Sequence, residues 1–305
     1  MTLFIWDASD FDWARGPMDL AAAKADGITG FTHKATEGTS IKHTHTGEAL
    51  NRARAAGMEF IGAYHVVRSV STSAQVNYFL SYLDQVAPWW RTFPGFFLQV
   101  DLELWPYDQV SAATGMAFAS ALVAAQPKRV ITYASRGQYG NSLAGIVTPL
   151  WNAAYGNDPA VHYPLAYPGD GSSNWAPYSG WTPVFWQYGS QLRIGTQPGA
   201  DCSAFRGSLA DLRTLIEGED MAFMDDQNAA ELAWRVEAIF ADRPATAGGS
   251  YVGTPTGENK MHDRLNAIEA KLDQVLAALA ALQPPAGGLV PHTHAGGQTG
   301  PAQPT

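Results

Sequence analysis

Short apolar runs alternate with stretches of helical periodicity over the first 218 residues. Residues 3–6, 30–34, 60–65, 96–103, 129–133, 150–155 and 184–188 read as strands. Residues 18–25, 48–56, 73–86, 110–125 and 209–216 read as helices, with a short helix after Arg136. Strands that alternate with amphipathic helices imply parallel βαβ units, in which each crossover helix covers the sheet it leaves. The later units lose their helices, so the pattern predicts an α/β fold closed into an irregular barrel. The alternative, an open doubly wound sheet, lacks the Gly-rich loop that cradles phosphate: neither GxGxxG nor GxxxxGK[ST] follows any strand.

Beyond Gly218 the pattern changes. Asp225 and Asp226 are placed to cap a helix in the region 219–243, with Leu232, Val236, Ile239 and Phe240 on one face. Residues 244–257 form a Gly/Pro/Thr linker. Within 258–283, Met261, Leu265, Ile268, Leu272, Val275, Leu279 and Leu282 recur at spacings of four and three, an unbroken heptad seam. Leu at a with Ile and Val at d favours three or four strands, so a homo-oligomer, trimer or tetramer, is expected through residues 261–282. The plainer reading is one amphipathic helix folded back on the barrel. Pro284 and Pro285 stop the helix, and 284–305 is expected to be disordered. Its His292 and His294 are read as a disordered pair rather than a metal site. The fold class is therefore α/β: a barrel over 1–218 with a C-terminal helical, coiled-coil appendage.

Composition narrows the picture. Hydrophobic residues make up 46% of the chain, enough for a sizeable core, and the net charge is −9. Up to Gly218 there are 14 basic and 17 acidic residues, and beyond it 5 and 11, so the acidity belongs mainly to the C-terminal part. No basic stripe is available to neutralise phosphates, which argues against nucleic acid as a partner. Cys202 is the single cysteine, so no intrachain disulfide forms. No segment approaches the ~20 apolar residues needed to insert in a membrane, and residues 1–7 show no secretory signal.

The residues with chemical potential lie at predicted strand ends. The run 96–103 finishes in Asp101 and Glu103, and period two puts both carboxylates on one face. In a parallel barrel the C-terminal strand ends form the rim at which sites are built. Asp7 follows the first strand and Asp201 the last strand region, so four carboxylates converge on one mouth. Mutual repulsion there keeps at least one protonated near neutral pH, as an acid catalyst requires. Tyr64, Trp105, Tyr133, Trp151, Tyr155, Trp186 and Tyr188 also fall near strand ends. Flat side chains with a polar handle suit sugar rings, although each alone is more often core.

Several blocks together resemble the muramidases of glycoside hydrolase family 25, which include many phage endolysins. They are 5–9 (IWDAS), 33–38 (HKATEG), 62–65 (GAYH), 101–103 (DLE), 150–155 (LWNAAY), 186–188 (WQY), and Asp201 with Phe205, Gly207 and Ser208. The resemblance covers roughly residues 3–217 and implies a modified (β/α), TIM-like barrel. It implies cleavage of the β-1,4 bond from N-acetylmuramic acid to N-acetylglucosamine in bacterial peptidoglycan, with no metal and no cofactor. Glu103 would be the general acid. Asp101 would orient the substrate's acetamido group as nucleophile or stabilise the oxocarbenium-like charge, while Asp7 and Asp201 tune Glu103 and hold hydroxyls. The expected substrate-binding residues are Lys34, Glu37, Tyr64, His65, Trp105, Tyr133, Trp151, Tyr155, Trp186 and Gln187; Lys34 and Glu37 can equally well pair with each other. Ser203, Ala8 and His33 depart from the family's common Asn, Val and apolar residue, which bears on subsite preference. His33 is read as a satisfied strand-end histidine and Cys202 as a packed residue. The resemblance and the lack of a signal lead us to expect synthesis in a host cytoplasm and holin-type release to the wall. A virion-associated lysin and a catalytically silent wall-binding module are the alternatives.

Overall fold

The computed structural model describes residues 2–218. The expectations for 219–305 (capped helix, linker, heptad seam and tail) lie outside the described residues. Eight strands make the barrel: β1 (Thr2–Ala8), β2 (Ile28–Glu37), β3 (Phe60–Val66), β4 (Phe96–Leu102), β5 (Arg129–Ala134), β6 (Leu150–Ala153), β7 (Phe185–Ile194) and β8 (Gln197–Arg206). They follow one another in chain order, and β8 returns to pair with β1, which also pairs with β2, so the ring closes. A short strand, Ile41–Lys42, extends the sheet from β2. The helices are α1 (Leu20–Ala25), α2 (Thr46–Ala55), α3 (Thr72–Val86), α4 (Ala112–Ala125), α5 (Arg136–Tyr139), α6 (Tyr163–Ala166) and α7 (Leu209–Glu217).

Helices α3, α4 and α7 start where the sequence supplies an oxygen for free backbone N–H groups. Ser71 accepts from the Ala74 amide ahead of α3, and Ser111 from the Thr114 amide ahead of α4. α7 opens with a reciprocal capping box between Ser208 and Asp211 and stops at Gly218, whose φ of 78° suits glycine. Each then buries one stripe: Val76, Phe79, Leu80 and Leu83 on α3, Phe118, Ala119 and Leu122 on α4.

Strand alternation sorts side chains into two cores. Trp6, Phe31, Ile61, Ala63, Leu98, Val100 and Leu102 point outward into the layer beneath the helices. Ile5, Phe60, Phe97, Ile131, Trp151, Phe185 and Phe205 fill a second cluster with Leu212, Leu215 and Ile216 of α7. Arg129, the first residue of β5, donates from Nε to the Leu215 carbonyl, so α7 plugs the end of the barrel where the parallel strands begin. The opposite end is left for polar residues. Among the described residues, no helix is long and apolar enough to cross a membrane.

The barrel departs from the all-parallel expectation at its last strands. β1 to β7 are parallel around the ring, but β8 runs antiparallel to both β7 and β1. Ile194 pairs with Gln197, leaving a two-residue turn whose first residue, Gly195, has φ 53°. Glycine tolerates that conformation, and a two-residue turn joins only antiparallel strands. Asp201 therefore lies within a strand rather than after one.

Gly62 shows how tightly the interior is filled. A Cβ built there would sit 2.5 Å from the fully buried Phe97 ring. Gly62→Ala should lower unfolding stability by about 1–3 kcal/mol through overpacking, measured as a shift in urea midpoint at unchanged m-value. An unchanged midpoint would show that Phe97 has room to move.

Candidate active site

The interior face grows more polar toward the C-terminal ends of the parallel strands. Along β4 it reads Phe97, Gln99, Asp101, with Glu103 one residue beyond the strand. On β1 it reads Ile5 then Asp7, on β3 Gly62 then Tyr64, on β5 Ile131 then Tyr133, and on β7 Phe185 then Gln187. β8 reads the same series in reverse, Asp201, Ser203, Phe205, because it runs the other way. Its early carboxylate thus reaches the same end as the late ones, and Asp7 pairs directly with Asp201 across the two strands. Asp7 and Asp101 are 5% and 6% exposed, while Asp201 and Glu103 are half-buried.

Such crowding makes ionisation costly. Burial lifts Asp7 to about 7, against a hydrogen bond from Gln99 Nε2 (3.1 Å) and one from Tyr64; the neighbouring Asp12 and Glu103 charges push it further up. Burial also holds Asp101 well above the carboxylate range, with the Glu103 charge next in effect, and Asp201 likewise, with Asp7 next. Glu103 is raised too, but less freely, because burial is opposed by the Lys34 and Arg68 cations. These groups titrate as a set rather than singly. Like charges facing each other across a strand pair are destabilising, and the Asp7 charge opposite Asp201 adds to burial in raising it.

The cations are organised by Glu37. Lys34 Nζ lies 2.6 Å from Glu37 Oε2, and Arg68 Nη2 lies 2.5 Å from Oε1. The expected choice for Lys34 and Glu37 is resolved as pairing with each other, extended by an arginine that sequence reasoning missed. Gln75 of α3 fixes that arginine's backbone, accepting from Arg68 N at 2.8 Å and donating to its carbonyl at 3.0 Å. Trp105 ends the first of two short paired strands, Leu104–Trp105 and Asp108–Gln109, and Tyr107 lies on the turn between them, with the Arg68 guanidinium 5.7 Å and 5.0 Å from their rings. Asp108 ties this hairpin to Ser69 through its N–H and Oγ. On the other side, Tyr133 and Tyr155 hydroxyls are 3.0 Å apart, and Tyr155 donates to Gln187 Oε1 at 3.1 Å. Tyr64, Tyr133, Tyr155, Gln187 and Trp105 thus gather at the carboxylate end.

Three expected substrate residues do not. His65 lies on the outward face of β3, fully buried; its Nε2 donates to Gln75 Oε1, its Nδ1 accepts from Thr36 Oγ1, and its ring stacks on Phe118 at 4.8 Å. Trp186 also points outward, donating to the Ala154 carbonyl and packing edge-on against Trp175. Trp151 faces inward but below the mouth, fully buried, with Nε1 donating to Ser203 Oγ across the interior at 2.9 Å. Burial on a packed face leaves none of the three a surface for a ligand. His33 is satisfied as expected, donating from Nδ1 to the Lys34 carbonyl and accepting from Trp13 Nε1, and burial depresses it to about 4. Cys202 is buried on the outer side, its thiol pushed up to about 12 by desolvation.

A ring of carboxyls held above the ordinary carboxylate range, in a polar mouth walled by tyrosines, can donate a proton to a leaving oxygen and balance the positive charge left behind. Among the described residues, no group of three or more His, Cys, Asp or Glu side chains is arranged to hold a metal ion.

Comparison with known proteins places this geometry. The profile of the family described as "Glycosyl hydrolases family 25" matches residues 7–196. The fold is similar to a family GH25 lysozyme from Aspergillus fumigatus (25% identity, TM-score 0.52, covering 72% of this chain and 100% of that one). It is also similar to a bacterial lysozyme from Streptomyces coelicolor (24%, 0.54, 70% and 97%). A third is the catalytic domain of an endolysin from a Listeria monocytogenes bacteriophage (19%, 0.56, 72% and 98%). No curated protein sequence matches the chain.

The raised Asp7 has a consequence for stability. Its folded pKa of about 7 exceeds the ordinary aspartate value of 3.8. Its contribution is therefore fully favourable below the unfolded pKa and is lost as pH rises through the folded one. Asp7→Asn should thus stabilise the protein at pH 8, by about 2–4 kcal/mol, and much less at pH 4. Denaturant titrations at the two pH values check this; an equal effect at both would show that Asp7 is not held protonated.

Proposed function

We propose that this chain, which belongs to glycosyl hydrolases family 25, is a muramidase that cleaves the β-1,4 bond from N-acetylmuramic acid to N-acetylglucosamine in peptidoglycan. The family makes it a glycoside hydrolase, and its lysozyme relatives support peptidoglycan as the substrate. The observation that carries the assignment of roles is the Asp101–Glu103 pair: one carboxyl inside the desolvated ring, the other at the strand end and open to the mouth. Glu103, raised by burial, donates its proton to the glycosidic oxygen as the C1–O bond breaks. Asp101 orients the acetamido group, whose carbonyl oxygen closes on C1, or balances the charge at C1 directly. Water then adds to C1 and returns its proton to Glu103, restoring the enzyme. Asp7 and Asp201 hold protons and sugar hydroxyls around the pair, with Tyr64, Tyr133, Tyr155, Gln187 and Trp105 lining the sugar path.

The biological setting we infer is lysis of a bacterial host by a phage-type endolysin. The described barrel and a relative named as an endolysin catalytic domain support it, and the heptad spacing of residues 261–282 supports association into trimers or tetramers that multiply wall contacts. Light scattering on the full chain and on one ending at Gly218 should give a multiple of the chain mass for the first only. Monomers in both would remove the oligomer.

Glu103→Gln should lower kcat on purified peptidoglycan by about 10²–10⁴ with little change in KM, read as new muramic reducing ends. Equal release by wild type and variant would overturn Glu103's role. Absence of muramic ends from the folded wild type would overturn the activity itself.

A further inference from the structure

His65 closes the 62–65 motif block yet takes no part in the mouth, lying fully buried on the outer face of β3. Its ring stacks on Phe118 of α4 and tilts against Phe79 of α3, with centroids 4.8 Å and 5.5 Å away. Its hydrogen bonds lead back to the site. The Gln75 side chain uses all four of its hydrogen-bonding positions: Oε1 accepts from His65 Nε2 (3.2 Å) and Arg68 N (2.8 Å), while Nε2 donates to the carbonyls of Arg68 (3.0 Å) and Val70 (3.1 Å). Those backbone groups lie in the connection from β3 to α3, outside any strand or helix that could pair them. A flipped amide would set its NH2 against the Arg68 N–H and its oxygen against two carbonyls, so a single orientation is satisfied. His65, clamped by the two phenylalanine rings, ties that amide to the core.

We infer that Gln75 and His65 are positioning residues for the acid: they fix the Arg68 backbone, and so place the guanidinium that stands with Lys34 on the cationic side of Glu103. This rests on the reading of Glu103 as the general acid. The contacts run through buried groups from end to end, where charges act on one another with little screening. Arg68 Nε and Nη2 donate to Glu37 Oε1, and Lys34 Nζ donates to Oε2. Both cations oppose the burial that raises Glu103, and they act on Asp101 in the same sense, whereas the Glu37 charge pushes Glu103 up. Also facing Glu103 are the carboxyls of Asp7 on β1, Asp101 on β4 and Asp201 on β8, and the hydroxyls of Tyr133, Tyr139 and Tyr155. Displacing Arg68 therefore weakens the cationic side of the balance and leaves the acidic side in place. Burial depresses the His65 imidazole to about 4, so the support stays neutral while the site titrates.

The test is a carbon-detected NMR titration of the Glu103 carboxyl in the full-length chain, with kcat/KM on peptidoglycan followed against pH. Gln75→Leu and His65→Phe, the latter keeping the ring stack, should both move the Glu103 midpoint to higher pH, because a displaced cation opposes burial less. The acid then stays protonated further into the alkaline range, so the ratio of variant to wild-type kcat/KM should rise by about threefold from pH 5 to pH 8. Leu83→Ala, a buried residue of α3 outside the network, should lower stability and leave the midpoint where it is. In an Arg68→Met background, Gln75→Leu should add no further shift. An unmoved midpoint in both variants, an equal shift in Leu83→Ala, or an undiminished shift in the Arg68→Met background would overturn the inference and leave Gln75 and His65 as packing alone. His65→Phe decides the matter if Gln75→Leu does not fold. The midpoint is read without turnover, so absence of muramic ends from wild type, which would sink the muramidase reading, is separable from an unmoved Glu103.

Discussion

Everything at the mouth of this barrel depends on like charges confined where water cannot separate them. Ring closure forces alternate residues of eight strands into one interior, and α7 fills the lower end with Leu212, Leu215 and Ile216. Polar side chains can then gather only at the other end. Asp7, Asp101 and Asp201 arrive there from three strands, with Glu103 just beyond, and burial raises all four. The repulsion that makes the cluster a liability for folding is what gives a hydrolase a carboxylic acid near neutral pH. Gln99 and Tyr64 bind Asp7, and the Lys34–Glu37–Arg68 group sets the field on the other side, so the cluster is contained rather than relieved.

The antiparallel β8 is part of the same solution. A parallel eighth strand would bring Asp201, an early residue, to the plugged end beside Phe185 and α7, and carry Phe205 to the mouth. The Gly195 turn reverses the chain, so that Asp201 lies opposite Asp7 and Phe205 opposite Leu3. Reversal also replaces a crossover helix with a two-residue connection, and so the helical layer thins on this side while the ring still closes.

The core of this arrangement was legible in the sequence because it follows from parity. Asp101 and Glu103 at i and i+2 on an apolar strand, with Asp7 at the end of another, already imply one shared face. The same parity carried an unused signal: if Tyr64 faces in, His65 faces out, and if Gln187 faces in, so does not Trp186. The motif blocks drew all of these residues together, and the structure separates them by face. Trp151 has the inward parity but sits too deep, a distinction of height that alternation does not encode. Arg68 escaped because it stands beyond the end of β3, held by Gln75 from a helix that follows; no strand period reaches it. The turn at Gly195 was visible as a glycine but not as a reversal, since strand direction is fixed by which partner closes the ring.

The central claim is that the ring of carboxyls keeps protons well above the ordinary carboxylate range. Carbon-detected NMR titration of the side-chain carboxyls of Asp7, Asp101, Glu103 and Asp201 in the folded protein measures it directly. The account predicts that these four titrate as a coupled set, with Asp7 near 7 and at least one carboxyl still protonated above pH 6. Four independent titrations close to the ordinary values of 3.8 for aspartate and 4.5 for glutamate would contradict it.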